Sequence, residues 1–201
     1  MTQATFGPTE AEINDLVRRG YSNWFRRQIS EPVVGAVPDV LALQVEYAAR
    51  NEGLGTEAIG DFAWRAAIEQ PDQLRQRMVF ALSQIIVVSY EDANVSDFFI
   101  TMARYIDVLN ANALGSYRVL LEDITYTPAM AQFLTYMNNQ REDPQTGRVP
   151  DENYARELMQ LFTIGLVELN QDGTPRLDAQ GQEIEPTPTP TSLSLRRYLL
   201  D

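Results

Sequence analysis

Apolar residues recur every three or four positions along most of this chain, between residues that commonly begin or end helices. Because an α-helix has about 3.6 residues per turn, this spacing places the apolar side chains on one face, where they can pack against a neighbour. The widest such stripe comprises Phe98, Phe99, Met102, Tyr105, Ile106 and Leu109. The pattern predicts an all-α fold, an irregular bundle of eight or nine helices, with a small C-terminal β-hairpin and an extended Thr-Pro tail.

Start and stop signals set the predicted helix boundaries. Thr9 followed by Glu12 matches a capping box, in which each side chain accepts a hydrogen bond from the other residue's backbone. Asp39 is expected to cap a helix that reaches about residue 51, after a loop at residues 30–38. Ser96 is expected to cap the helix that ends at Gly115.

The segment after Pro71 has the least regular pattern. Asp72 starts the predicted helix, and the residues expected to face the core are Leu74, Met78, Leu82 and Ile85. The run at residues 85–88 suits a strand by propensity, but it continues the same stripe, which favours a helix. We interpret Asp72, Arg75 and Arg77 as a helix cap with ion pairs; the alternative is an arginine that binds a phosphate or a carboxylate.

The character of the sequence divides the chain into three parts. Residues 1–165 carry the helical pattern and form the predicted helical domain. Residues 166–184 contain an Asp172-Gly173 turn signal and a second glycine, Gly181, which indicate a hairpin-like extension. Residues 185–201 begin with alternating threonine and proline and are expected to form a flexible, polyproline-like tail.

Three residue types with distinctive chemistry are missing. The chain contains no cysteine, histidine or lysine, and all 16 basic residues are arginine. These absences exclude disulfides, thiolate and Ser-His-Asp catalysis, zinc sites built from His or Cys, and lysine-based Schiff-base or phosphate chemistry. Catalysis by this chain would depend on Asp, Glu, Tyr, Ser, Thr, Asn and Arg. No cofactor is expected.

The charge balance limits the partners. The net charge is -12, and basic residues occur at most two in a row, whereas nucleic-acid binding depends on basic patches that neutralise phosphates. No nucleic-acid partner is expected, and the same argument disfavours an anionic membrane surface. The most apolar stretch, residues 78–88, is too short to cross a bilayer, and the first residues lack the features of a signal peptide. No membrane insertion is expected.

Four segments, taken in order, resemble one family. They are QATFGPTEAEI, PDQLRQRMVFALSQIIVVS, NANALGSYRVLLEDITYTPAM and PDENYARELMQLFTIGLVELNQDG. Together they are similar to the bacterial family catalogued as domain of unknown function 1800, over about residues 3–184. The resemblance implies a larger, mostly helical protein, often exported to the cell envelope, with no established activity. It also implies that residues 1–165 are the N-terminal part of a larger domain and that the tail is truncated or frame-changed.

The most suggestive polar group lies at the start of the helix predicted after residue 150. It consists of Asp151, Glu152, Asn153, Arg156 and Glu157. In a functional interpretation Glu157 is an acid, base or metal ligand, and Arg156 on the same helical face binds an anionic group. In the structural interpretation, which we favour, Asp151 and Glu152 complement the helix dipole, and Glu152 pairs with Arg156 one turn later.

A second group suggests calcium. Glu168, Asn170 and Asp172 match three ligand positions of a calcium-binding loop, but the closing position holds Ala179 instead of an acid. We therefore expect a turn and no metal site. The expected function is that of a structural and interaction module with a protein partner or a missing C-terminal half. One alternative is that the chain is part of a hydrolase, in which Glu157 and Arg156 act with groups from the missing C-terminal half. The other alternative is a calcium-stabilised module.

Overall fold

The computed structural model describes residues 1–55, 57–92, 95 and 99–186. Within these ranges the chain forms nine α-helices and no β-sheet, which confirms the all-α prediction. In chain order the helices are α1 (Glu10–Arg19), α2 (Tyr21–Ser30), α3 (Ala36–Ala49), α4 (Glu57–Glu69), α5 (Gln73–Ile85), α6 (Phe99–Asn112), α7 (Tyr117–Thr125), α8 (Pro128–Phe133) and α9 (Asn153–Met159). A π-helical turn, Gln160–Ile164, follows α9 directly.

The chain forms two compact units. The N-terminal unit, Met1–Phe133, contains α1 to α8, and the C-terminal unit, which begins at Leu134, contains α9 and the π-helical turn. The domain boundaries predicted at residues 165 and 184 remain predictions. No helix in the described ranges combines the length and the apolar character needed to cross a bilayer.

Local signals place the start of α1 where the capping box predicts it. The Thr9 hydroxyl accepts a hydrogen bond from the Glu12 N–H at 3.3 Å, and Glu12 Oε2 accepts one from the Thr9 N–H at 2.7 Å, so the predicted capping box is present. Gly20 alone separates the two helices, and its φ of 80° lies in a region that favours glycine. The sequence order of cap, apolar stripe and glycine therefore determines this helical hairpin.

The core of the N-terminal unit is built around α6. This helix packs against α3, α4, α5, α7 and α8. Its buried face includes Met102, Tyr105 and Leu109, each at most 2% exposed. Val40 of α3 and Ile124 of α7 are fully buried as well. Burying one large apolar side chain contributes roughly 1.5–3 kcal/mol, so this central cluster supplies a large share of the unit's stability.

α3 begins at Ala36, so the prediction that Asp39 caps it is wrong. The cap comes from another helix: the Asp107 carboxylate of α6 accepts hydrogen bonds from the N–H groups of Ala36 and Val37 at 2.5 and 3.3 Å. A Cβ atom on Gly35 would lie 3.4 Å from both carboxylate oxygens and 3.2 Å from Pro38 Cδ, so a larger residue would crowd the start of α3. A tertiary partner has replaced the local cap that the sequence offers.

α5 is shorter than predicted, and its buried face differs. The helix ends at Ile85, so the interpretation of residues 86–88 as helical is wrong. Met78 and Ile85, expected in the core, are 37% and 47% exposed, whereas Arg75 is only 6% exposed. The reason is that α6 offers the polar side chains of α5 buried hydrogen-bonding partners. The buried face of α5 comprises Gln73, Arg75, Gln76, Val79 and Leu82.

In the C-terminal unit α9 buries one apolar face. Tyr154 and Leu158 are buried, and the Tyr154 ring stacks on that of Tyr136 with 4.3 Å between centroids. Phe162 is also buried, whereas Leu161 beside it is 60% exposed. The change from α to π geometry after α9 alters the directions of the following side chains, which explains the difference.

The chain after the π-helical turn forms isolated antiparallel bridges. They join Leu169 to Pro175 and Leu177 to Glu183. These bridges lie in the segment for which the hairpin is predicted, and the hairpin itself remains a prediction. The capping residue Ser96, the stripe residue Phe98 and the tail from residue 187 lie outside the described residues.

Candidate functional site

Asp151 organises the start of α9 within the C-terminal unit. Its Oδ2 accepts a hydrogen bond from the Thr135 hydroxyl at 2.6 Å, and its Oδ1 accepts one from the Asn153 N–H at 2.9 Å. These two bonds, the one from Thr135 foremost, hold the pKa of the Asp151 carboxyl below its usual value. Asp151 thus satisfies the first N–H group of α9.

Glu152 and Arg156 form the predicted ion pair one turn apart. Arg156 Nη2 lies 2.6 Å from Glu152 Oε1, and both side chains are about half exposed. An exposed pair of this spacing contributes about 0.3–0.5 kcal/mol. The two residues also line a shallow open pocket of about 200 Å³, together with Ala155, Met159 and Gln160. Because both side chains are half exposed, the Arg156 guanidinium contacts Glu152 and also remains accessible to water.

Glu157, the proposed acid or base, lies apart from that pocket. The side chain is half-buried, and its Oε2 is shielded from solvent without a hydrogen-bond partner among the described residues. A buried polar atom without a partner carries a desolvation penalty of about 1–3 kcal/mol. Binding a proton or a hydrogen bond from a ligand would remove this penalty. Arg156 lines the pocket and Glu157 does not, so the structure does not bring these two neighbours together on one concave surface.

The N-terminal unit contains a buried polar network between α5 and α6. Asp72 has no exposed surface, and Arg75 Nε lies 3.2 Å from its Oδ2, an ion pair without hydrogen-bond geometry. Arg75 Nη1 donates to the Asn110 carbonyl oxygen at 2.9 Å. Gln76 Nε2 lies 3.1 Å from Asn110 Oδ1 and 3.2–3.3 Å from the Asp72 carboxylate oxygens. The network neutralises a buried charge that would otherwise destabilise the fold.

Two further buried glutamines connect the start of α5 to its neighbours. Gln28 of α2 donates to the Pro71 carbonyl oxygen at 2.8 Å and accepts from the Leu74 N–H at 2.8 Å. Gln73 donates to two carbonyl oxygens at the end of α4 at 2.8 and 3.0 Å, and it accepts from the Phe6 N–H at 3.1 Å. The N-terminal segment, α2 and α4 are therefore all bonded to one turn of α5.

The sequence contains a signal for this network that the apolar pattern hides. At helical spacing, one face of this segment is polar in its first turn and apolar afterwards. This face comprises Asp72, Arg75, Gln76, Val79 and Leu82. The competing stripe through Leu74 and Met78 is more apolar, so the sequence pattern favours it. The sequence pattern does not reveal the hydrogen-bonding partner of this face, because Asn110 lies 34 residues beyond Gln76.

Beside the network the N-terminal unit has an apolar pocket of about 320 Å³. Trp64 and Phe80 on its rim are 70% and 50% exposed. The Arg77 guanidinium carbon lies 4.9 and 5.8 Å from the ring centroids of Phe6 and Phe80. Aromatic and arginine side chains are enriched in the cores of protein interfaces. The lining includes Phe6, Phe62, Trp64, Val79, Phe80 and Ile106, with Gln76 of the buried network.

One family model covers nearly all of the described chain. The model described as "Protein of unknown function (DUF1800)" matches residues 1–181. The chain belongs to this family. Among the curated proteins and the solved structures, none matches the chain. The resemblance inferred from the four sequence segments is confirmed, and the DUF1800 match spans both the α9 residues and the buried network.

In this DUF1800 chain the calcium candidates are bonded to neighbouring residues. Glu168 pairs with Arg176, and Asn170 Nδ2 donates to the Thr174 hydroxyl at 3.0 Å. Asp172 Oδ1 accepts from the Thr174 N–H and hydroxyl at 3.0 and 2.7 Å, and the hydroxyl is the main reason that the pKa of Asp172 is lowered. The described ranges contain no group of three His, Cys, Asp or Glu residues arranged to hold a metal ion. The calcium-stabilised module remains a prediction.

Proposed function

We propose that this domain is a structural and interaction module whose apolar pocket on α4 and α5 receives large apolar side chains of a partner polypeptide. The observation that carries the proposal is the exposure of Trp64 and Phe80 at the rim of a 320 Å³ pocket whose lining is mostly apolar. Contiguous exposed apolar surface in a folded protein commonly marks an interaction site.

The residue types at the pocket favour a polypeptide over a small molecule. The pocket volume lies at the lower end of the roughly 300–1,000 Å³ found for ligand sites, and the pocket is open to solvent. Interface hot spots are enriched in Trp, Tyr and Arg. Here Trp64 lines the pocket together with Phe80, and the Arg77 guanidinium lies over the Phe80 ring. Leu or Phe side chains of a partner helix, spaced one turn apart, match such a groove.

Trp64 supplies the reporter for a direct test. In a Trp24→Phe background Trp64 is the remaining tryptophan, so its emission monitors the pocket. Fifteen-residue peptides with Leu or Phe at helical spacing are expected to shift this emission to shorter wavelength, because the indole leaves water. Peptides of the same charge with Ser at those positions are expected to leave the emission unchanged.

A pair of matched variants locates the binding surface. Phe80→Asp is expected to weaken the apolar peptides at least about tenfold, because it places a charge in the pocket. Ile68→Asp makes the same change at an exposed α4 residue that does not line the pocket, and it should have little effect. Equal losses in both variants, or no emission shift with any apolar peptide, would contradict the proposal.

The alternative function is that of a hydrolase in which Glu157 acts as acid or base. The observation in its favour is the buried, unpartnered Oε2 of Glu157 beside a guanidinium residue in the sequence. An acid or base held out of water is a recurrent feature of catalytic sites. The missing partners would be groups from a further part of a longer protein, as the resemblance implies.

The hydrolase alternative has its own test. Hydrolysis of nitrophenyl esters, phosphates and glycosides is measured with the full-length protein and with its Glu157→Gln and Glu152→Gln variants. A catalytic Glu157 predicts a loss of at least about a hundredfold for Glu157→Gln and little change for Glu152→Gln. Unchanged turnover in Glu157→Gln removes this residue from the mechanism.

Fractionation of cells that contain the full-length protein tests the placement at the envelope.

A further inference from the structure

The charge on the first two helices is opposite to that of the whole chain. The chain carries a net charge of -12, yet α1 and α2 together contain four arginines and three acidic residues, and all of the acidic residues precede residue 16. Two of these arginines end α1, and the other two lie in α2. Since Gly20 alone joins the two helices, the arginines are gathered at one helical hairpin.

Three of the four arginines converge on a single carboxylate. Arg18 and Arg19 each place a nitrogen 2.7 Å from Asp15 Oδ1, and Arg27 places one 2.8 Å from Asp15 Oδ2. One negative charge thus faces three positive charges, which leaves a local excess of two. These arginines, Arg18 foremost and then Arg27 and Arg19, lower the pKa of Asp15 to about 2.

A pocket lies at the point of convergence. Its volume is about 270 Å³, and its side chains combine guanidinium groups with the indole of Trp24, which is 6% exposed. Each guanidinium has five N–H donors, and Arg19 and Arg27 use only one each on Asp15, so most of their donors face elsewhere. Asn23 Nδ2 donates to the Arg19 carbonyl oxygen at 2.7 Å. The lining residues are Asp15, Leu16, Arg19, Asn23, Trp24 and Arg27, and we name this feature the arginine pocket.

We propose that the arginine pocket binds a phosphate group, with Arg19 and Arg27 donating hydrogen bonds to its oxygens. Arg19 and Arg27 line the pocket with Asp15, which leaves an excess of one positive charge there, and Arg18 on the other side of Asp15 raises the local excess to two. A phosphate monoester carries a charge of about -1.5 to -2 at neutral pH, so this excess attracts it. Guanidinium groups bind phosphate oxygens in pairs, with a planar geometry that a lysine ammonium lacks. A carboxylate ligand carries one negative charge and is therefore attracted less strongly than a phosphate monoester.

The acidity of the whole chain does not prevent this binding. At physiological ionic strength exposed charges are screened over about 8 Å, so the nearby arginines determine the potential in the pocket. The proposal concerns one phosphate group, not a nucleic-acid backbone, which needs a row of basic contacts. The group can belong to a small soluble molecule or to a lipid headgroup, because both present the same oxygens.

The test measures phosphate binding by the full chain in solution. NMR of the Nε–H groups of Arg19 and Arg27 is recorded during titration with inorganic phosphate, and with sodium chloride at matched ionic strength. Phosphate, and not chloride, is expected to shift both signals. Sedimentation with phosphatidylcholine vesicles, with and without phosphatidic acid, then shows whether a headgroup is also accepted. Binding in either arm supports the pocket and identifies the source of the phosphate.

Two opposite substitutions make the test specific. Arg27→Gln removes a donor and is expected to weaken binding at least about tenfold. Asp15→Asn keeps the shape but removes the competing negative charge, so it is expected to strengthen binding several-fold. Arg104→Gln changes the net charge as Arg27→Gln does, at an exposed α6 position outside the pocket. The proposal is wrong if neither probe binds, if Asp15→Asn binds no tighter than the natural chain, or if Arg104→Gln loses as much as Arg27→Gln.

Discussion

Replacing Arg75 with methionine is expected to destabilise the N-terminal unit strongly, because this side chain neutralises a buried charge. Arg75 is 6% exposed, and the Asp72 carboxylate beside it has no exposed surface. Methionine preserves much of the apolar stem of arginine but removes the positive charge and the bond to the Asn110 carbonyl oxygen. Among the described residues, the Asp72 carboxylate would keep the Gln76 amide as its partner.

The expected size of the effect follows from the burial of both partners. Breaking a buried ion pair by removing one partner costs about 3–5 kcal/mol. In a chain of roughly 150–250 residues each kcal/mol lowers the midpoint of thermal unfolding by about 2–4 °C, so a shift on the order of 10 °C is expected. Adding Asp72→Asn removes the unpaired charge, and the double variant is expected to recover about 1–3 kcal/mol relative to Arg75→Met alone.

Urea unfolding followed by circular dichroism measures these free energies, and Arg77→Met provides the matched control. Arg77 lies on the same helix, but its guanidinium is at the surface, over the Phe6 ring at 4.9 Å. Such a cation–π contact contributes about 0.5–1 kcal/mol, so the control should lose no more than that. Similar losses for Arg75→Met and Arg77→Met, or a double variant less stable than Arg75→Met, would refute the buried-charge argument.

Three further predictions concern capping and pH. Asp107→Ala removes both acceptors at the start of α3 and should lower the free energy of unfolding, measured with urea, by about 1–2 kcal/mol. Asp39→Ala removes an exposed ion pair with Arg65 and should lower it by less than about 1 kcal/mol in the same assay. Thr9→Ala breaks the capping box and should cost about 1 kcal/mol, and faster amide exchange in α1 but not in α6 is the diagnostic result. The Asp15 carboxyl has a pKa lowered from 3.8 to about 2, so its charge stabilises the folded state fully above about pH 5, and this contribution is lost as the pH falls to about 2. The difference in urea midpoint between the natural chain and Asp15→Asn should shrink over that interval, and a constant difference would contradict the assignment.

The features predicted correctly from the sequence are those encoded by neighbouring residues. The capping box at Thr9 and the ion pair between Glu152 and Arg156 each join residues three or four positions apart, and both are present. Such pairs form whenever the helix forms, since helical geometry alone brings the side chains together. Helix existence follows for the same reason, because the spacing of apolar residues is itself local information.

The errors occur where a distant residue supplies the partner. Asp39 is a good local cap, but the carboxylate of Asp107 takes that role from a residue about 70 positions away. The sequence pattern places Leu74 and Met78 in the core, whereas Arg75 is buried because Asn110 provides its acceptor. The same limit applies to the candidate site, because the unpartnered oxygen of Glu157 depends on what surrounds α9 and not on its own sequence.

These distant partners all lie on α6, and their hydrogen bonds favour one orientation of the helices packed around it. From α6, Tyr105 donates to the Ile86 carbonyl oxygen just after α5, Asp107 caps α3, and Asn110 holds Arg75 and Gln76. Apolar packing alone tolerates rotation of a helix, whereas a buried polar group that loses its partner carries a penalty of about 1–3 kcal/mol. A rotation of α5 that buried Met78 and Ile85 would separate Arg75 and Gln76 from Asn110 while Asp72 stayed in the interior. The less apolar face of α5 is therefore buried because this orientation gives the Arg75 and Gln76 side chains their acceptors on Asn110 of α6.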